Sequence, residues 1–241
     1  MTTSGTSVFD LDLTDLVEEA FERTGQELRS GYDLRTARRS LNLLTVEWVN
    51  RGINLWTIDS GSIPLVQGTA TYDLPVDTVD LLDQVTRTGT GQQQTDINVN
   101  RISESTYSTI PNKNAQGRPI QVWINRQSGA TYPTTGVNAP KIVVWPTPDQ
   151  GTLLNPYYTF VYWRMRRIQD AGNGVNTQDI PFRWLNCMVS GLAYYLSMKL
   201  KDVDPNRIAA LKADYDQQFQ FASEEDREKA SVRFVPRMSF F

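Results

Sequence analysis

Apolar residues recur along this chain with two different periods, and the changes between them divide it into three stretches. At the start, Leu13, Leu16, Val17, Ala20, Phe21 and Leu28 repeat at helical spacing. They predict a helix from Leu13 to Leu28, weakest at Gly25 and ended by Ser30-Gly31. Asp12, Asp15, Glu18 and Glu19 lie in its early turns, where negative charge complements the helix dipole. A second helix is expected from Asp33, as N-cap, to Gly52, as C-terminal stop. Its stripe is Leu34, Ala37, Leu41, Leu44 and Trp48, a narrow seam suited to packing on other helices. Arg35, Arg38 and Arg39 fall off that seam, toward solvent or a neighbour.

Between Trp56 and Asp179 the helical period disappears. Short β-type runs separated by Gly, Pro and Asn take its place. Strands are expected at Trp56–Ile58, Thr69–Tyr72, Leu81–Arg87, Ile120–Asn125, Lys141–Trp145 and Tyr157–Arg166. The last is aromatic on both alternating faces, which predicts an interior position in its sheet. A short helix capped by Ser103 should run to Ile110, while Gln92–Gln94 and Ala130–Ala139 read as exposed loops.

Helical spacing returns at Ile180-Pro181. A helix to about Lys199 would align Trp184, Cys187, Met188, Gly191, Leu192 and Tyr195. Asp204-Pro205 is an N-cap followed by proline at the first helical position. The helix it opens carries Ile208, Leu211, Tyr215, Gln218 or Phe219, and Ala222, and the charged run Glu224–Lys229 should continue it into solvent. Narrow-seamed helices cannot bury enough surface in pairs. The expected architecture is therefore α+β, a bundle built from N-terminal helices (1–54) and C-terminal helices (180–230). A sandwich-like β domain (55–179) is inserted between them, and an extended tail (231–241) follows.

Composition narrows the chemistry. The 241 residues include no histidine and one cysteine, and the net charge is −3. This excludes Ser-His-Asp and Cys-His nucleophile systems, His-ligated zinc, an intrachain disulfide and multi-cysteine metal clusters. No stretch is basic enough for a nucleic-acid footprint. The N-terminus does not read as a signal peptide, and the longest apolar window, Met188–Met198, is about half a membrane span. A reducing cytosol, or a particle assembled there, is the expected setting.

The remaining candidates for chemistry have plain structural readings beside the functional one. Tyr195 and Lys199 have the Tyr-x-x-x-Lys spacing of short-chain dehydrogenases, but the Gly-rich strand-to-helix turn of that fold is absent. Glu47 and Glu104 are candidates for a carboxylate-based cell-wall glycosidase, the one acid–base class left open. Cys187 lies in an apolar stripe and reads as packing. Asp202, Asp204, Asp214 and Asp216 lack calcium-loop spacing and read as caps and solvated faces. The tryptophans, Trp48, Trp56, Trp123, Trp145, Trp163 and Trp184, read mostly as core anchors.

The tail differs from all of these. Residues 231–241 contain two arginines, three phenylalanines and no acid, and Pro236 favours an extended form able to lie in a groove. So apolar a terminal segment either tucks onto its own domain or docks on a partner; the partner reading is favoured, with Arg233, Phe234, Val235, Pro236, Arg237, Met238, Phe240 and Phe241 as the expected docking residues.

Several of these segments, taken in order, carry a family resemblance. They are the acidic first helix, the seam helix ending Glu47-Trp48-Val-Asn-Arg-Gly52, and the strand-turn Gly68-Thr-Ala-Thr-Tyr-Asp-Leu-Pro75. Next come Lys141-Ile-Val-Val-Trp-Pro-Thr-Pro148, the long strand Tyr157–Arg166, and the helices around Ile180–Lys199 and Ala222–Lys229. Together they resemble the head-to-tail adaptor proteins of short-tailed bacteriophages, the tail tubular protein A-like connectors. The resemblance implies a non-enzymatic structural protein without cofactor or metal, located at the head-tail junction of the virion and assembled in the host cytoplasm. It implies a dodecameric ring below the portal protein that extends the DNA channel and retains the genome. The same ring would offer a platform to a tail nozzle or tail-tube protein and to tail fibres, with DNA only passing through and no membrane involved. In related adaptors a C-terminal extension reaches along the portal, which makes the tail the implied portal-binding segment. A connector or completion protein of a long-tailed phage is the neighbouring alternative.

Overall fold

The computed structural model describes residues 4–7, 9–29, 31–53, 55–126, 139–172 and 175–226. In chain order the elements are α1 (Leu13–Thr24), α2 (Gly31–Asn50), β1 (Ile58–Leu65), β2 (Thr71–Asp73), β3 (Thr78–Thr88), β4 (Thr95–Asn98) and β5 (Asn100–Ile102). There follow α3 (Glu104–Ser108), β6 (Gln121–Asn125), β7 (Lys141–Trp145), β8 (Tyr158–Arg166), α4 (Leu185–Ser197) and α5 (Pro205–Glu225). The fold is α+β. It divides into two units: a helical one from the segments up to Trp56 and from Ile168 onward, and a β unit from Thr57 to Arg167.

In the helical unit α4 is the central element, packed against α1, α2 and α5. Its buried positions surround the helix, from Leu185 and Cys187 through Gly191 and Leu192 to Leu196, as expected of a helix enclosed by others. Each neighbour buries one stripe against it. On α2 this is Ala37, Leu41, Leu44 and Trp48, all fully buried. On α5 it is Leu211, Tyr215 and Ala222.

Caps explain several helix ends. The Asp12 carboxylate accepts from the Asp15 amide at 2.9 Å and starts α1. The helix stops at Gly25, not Leu28, because Gly25 takes a left-handed φ of 81° while its N–H returns to the Phe21 and Glu22 carbonyls. Asp33 is not the N-cap of α2, which begins at Gly31; it lies in the first turn, where its charge still complements the dipole. The helix expected from Ile180 begins with a 3₁₀ turn at Phe182–Trp184 before α4 proper. Asp204 caps α5 by accepting from Asn206, with Pro205 at the first position.

Ile168–Asp179, placed with the β stretch by its pattern, packs with the helical unit. Ala171 donates to Asn42 Oδ1 at 2.9 Å, and Trp56 Nε1 donates to the Asp179 carbonyl at 2.9 Å. Short polar anchors of this kind leave no periodic signal.

The β unit is a sandwich of two four-stranded sheets, ordered β1-β8-β3-β4 and β2-β7-β6-β5. All pairings are antiparallel except β5 with β6. Leu65, Leu81, Phe160 and Tyr162 from the first sheet share a core with Val122, Ile124, Ile142 and Val144 from the second. The aromatic strand β8 is interior, between β1 and β3, as its two apolar faces predict.

Three strands differ from expectation. Trp56 lies in a 3₁₀ turn, and β1 instead starts at Ile58 and runs through Gly61 and Pro64 to Leu65. An edge strand tolerates Pro64. Gly61 is required because a Cβ there would come within 2.5 Å of the Tyr162 ring opposite it. The short strands β4 and β5 are sheet edges too, polar enough to resemble loops. Ser103 caps α3 as expected, and Ala130–Ala139 lies almost wholly outside the described residues. Among the described residues no helix is long and apolar enough to cross a membrane.

Candidate functional site

Of the polar residues singled out for chemistry, Glu47, Tyr195 and Lys199 are tied into the helical unit. Glu47, on α2, accepts from the Tyr195 hydroxyl at 2.5 Å and from the Tyr215 hydroxyl at 3.3 Å, and it pairs with Arg51 one turn later. Trp48 Nε1 donates to the Tyr215 oxygen at 3.1 Å. The Arg51 guanidinium covers the Phe219 ring at 4.3 Å. Both Glu47 oxygens are thus engaged in joining α2 to α4 and α5. Glu104 belongs to the other unit, in the exposed first turn of α3 beside a hollow lined by Trp123 and Arg126.

Tyr195 and Lys199 reach different partners, since Lys199 Nζ donates to Ser40 Oγ at 2.7 Å. Burial, and then the bond to Glu47, push the Tyr195 hydroxyl up to about 12. A catalytic tyrosine of the dehydrogenase type needs the opposite shift. Burial likewise pushes the Cys187 thiol up to about 12, so it stays protonated and inert. Of the aspartates, Asp204 is a cap and Asp214 approaches Arg23 at 3.8 Å. Among the described residues no group of three or more acids or cysteines is placed to hold a metal ion.

The aromatic anchors divide between the units. Trp48, Trp56 and Trp184 cluster in the helical unit, with ring centroids 4.8 and 5.5 Å from that of Trp184. In the β unit Trp123 stacks on Tyr107 at 5.2 Å, and Trp163 is more than a third exposed. The expected docking residues Arg233, Phe234, Val235, Pro236, Arg237, Met238, Phe240 and Phe241 lie outside the described residues. The charged run before them departs from expectation within its described part. α5 ends at Glu225, and Asp226 is buried, accepting from Arg183 Nε at 2.9 Å.

One surface feature was not anticipated. A cleft of about 630 Å³ lies along α1 and the start of α4, with Phe9, Leu11, Phe182, Leu185 and Val189 on its apolar side. Asp15, Glu18, Glu19 and Glu22 form its acidic rim. Phe9 and Phe182 are 75% and 80% exposed. The spacing of the four acids, i, i+3, i+4 and i+7, places them on one helical face. That signal was present in the sequence, where the dipole explained only part of it.

In this chain Glu47, Tyr195 and Lys199 are engaged in contacts between helices. Its sequence matches the family model described as SU10 adaptor protein over residues 11–237, a range that takes in both units. The chain belongs to the SU10 adaptor protein family. It is therefore a bacteriophage adaptor, a structural component of the virion that associates with other virion proteins. No individual curated protein matches it.

Proposed function

We propose that this adaptor joins head to tail in a tail tubular protein A-like connector of a short-tailed phage. Copies form a dodecameric ring below the portal protein, at the head-tail junction. The ring extends the DNA channel, helps retain the genome until ejection, and carries a tail nozzle or tail-tube protein together with tail fibres. Residues 233–241 dock on the portal, and assembly takes place in the host cytoplasm.

The family match over residues 11–237 carries this reading. Two features support it. The net charge of −3 suits a channel wall that passes DNA without holding it. The basic, aromatic 231–241 segment suits an extended peptide lying in a partner's groove. Removing residues 231–241 should leave a folded chain that no longer co-sediments with portal rings. Undiminished portal binding by the truncated chain would overturn the assignment of the tail, and absence of binding by the full chain would overturn the adaptor position.

A further inference from the structure

The helical unit presents two outward faces of opposite charge. The first is the cleft along α1, where exposed Asp15, Glu18 and Glu22 border the apolar surface of Phe9, Leu11 and Phe182. Glu19 is internally neutralised by Arg23 at 2.9 Å, whereas Glu18 and Glu22 have no ion-pair partner among the described residues. The second is the side of α2 turned away from its buried seam. There Tyr32, Arg35, Arg39, Leu43 and Val46 follow one another at spacings of 3, 4, 4 and 3, a single stripe. Tyr32, Leu43 and Val46 are 69%, 52% and 55% exposed, and Arg35 and Arg39 make no ion pair among the described residues.

We propose that these faces bind each other between copies, the α2 stripe of one chain lying antiparallel in the α1 cleft of the next. This deepens the ring reading above by naming the surface through which copies meet, and it rests on that reading for closure into a ring. Register supports the antiparallel match. Arg35 and Arg39 are separated by one turn, about 6 Å, as are Glu18 and Glu22. Setting Arg39 against Glu18 brings Arg35 to Glu22. The same setting carries Val46 to the level of Leu11, at the end of α1 where Phe9 adds exposed ring surface. Charge meets opposite charge at one end and apolar surface meets apolar surface at the other. Two different patches on one chain make a heterologous contact, the kind that propagates from copy to copy until a rotation closes it. The ion pairs fix register and partner choice, while the apolar end supplies the desolvated area.

Sedimentation velocity on the full chain over a concentration series tests this. The unmodified chain should self-associate. The double reversals Arg35→Glu with Arg39→Glu, and Glu18→Arg with Glu22→Arg, should each weaken association by roughly tenfold or more. Mixed in equal amounts, the two variants should associate again. The reversed faces then match each other, the unreversed faces match as before, and only like-with-like contacts are repelled. Circular dichroism checks that each variant is folded. If a reversal unfolds the unit, the milder Arg39→Gln and Glu18→Gln take its place and should each weaken association about threefold. Removing residues 231–241 should leave self-association unchanged. A strictly monomeric unmodified chain, a variant that associates normally, or a mixture that stays monomeric would overturn the contact. Loss of association on removing 231–241, with the reversals silent, would assign the cleft to the C-terminal segment instead. Portal co-sedimentation is scored separately, so self-association without portal binding sinks only the position in the particle.

Discussion

Tyr195 on α4 donates its hydroxyl hydrogen to Glu47 on α2 at 2.5 Å, and the same carboxylate accepts from Tyr215 on α5. One acid therefore joins three helices, with Arg51 closing its remaining side. Replacing it leaves two hydroxyl donors and a guanidinium to find new partners at a partly buried site. The expected cost of Glu47→Ala is about 2–4 kcal/mol, read as a lowered urea midpoint at unchanged slope. Tyr195→Phe removes one donor from a charged acceptor and should cost less, about 1–2 kcal/mol. A Glu47 variant as stable as the parent would remove the network from the account of the fold.

Alkaline pH should weaken the protein through its buried phenols and thiol. Burial pushes the Tyr158 and Tyr195 hydroxyls from 10.0 to about 12, raises Tyr215 further, and lifts Cys187 from 9.0 to about 12. Above the unfolded values the unfolded chain loses protons that the folded chain keeps, so the folded chain binds more protons and stability falls as pH rises. The contribution is complete below about pH 9, declines through about pH 9–12 and is lost above the folded values. Thermal melts from pH 7 to 11 should show Tm falling steadily from pH 9. Cys187→Ala should remove the earliest part of that fall, whatever it costs at neutral pH.

Periodicity made the helices legible because each buries a continuous stripe, and it made β8 legible because both of its faces are covered. It failed where burial is one-sided or absent. Gly61 and Pro64 look like breakers until β1 is placed at an edge with Gly61 beneath the Tyr162 ring. The polar edges β4 and β5 carry too little apolar signal to separate them from turns. Glu47 and Tyr195, both singled out as candidates for chemistry, are 148 residues apart and meet only through helix packing. Asp15, Glu18, Glu19 and Glu22 were visible as charges, but the cleft they border needed Phe182 from far along the chain.

Gly191 marks a close approach of α4 to α2 and α5. A Cβ at this position would lie 2.9 Å from both Leu44 Cδ2 and Tyr215 Cε2. Leu44 can rotate, but the Tyr215 ring is pinned through its hydroxyl by Trp48 and Glu47. Gly191→Ala gains about 1 kcal/mol of helix propensity and loses more to overpacking. The net expectation is destabilisation by about 1–2 kcal/mol, checked by urea unfolding. In the Tyr215→Phe background the ring is released, and the penalty should shrink; an equal penalty in both backgrounds would show that the pinned ring is not its source.

Arg183 and Asp226 form a strongly asymmetric ion pair in the helical unit. The Asp226 side chain is 1% exposed and that of Arg183 is 28% exposed, so solvent can serve the cation but not the carboxylate. Removing either partner should therefore have unequal effects. Arg183→Ala strands a buried charge and is expected to cost about 3–5 kcal/mol. Asp226→Asn keeps the volume and leaves Arg183 partly hydrated, for about 1–2 kcal/mol. The double variant should be more stable than Arg183→Ala alone, because the stranded charge is gone. Urea midpoints of the three variants at pH 7 test the order, and a less stable double variant would mean that the pair does not act as a unit. Since Asp226 follows the last turn of α5, the same series reports whether this pair fixes the end of that helix ahead of the basic terminal segment.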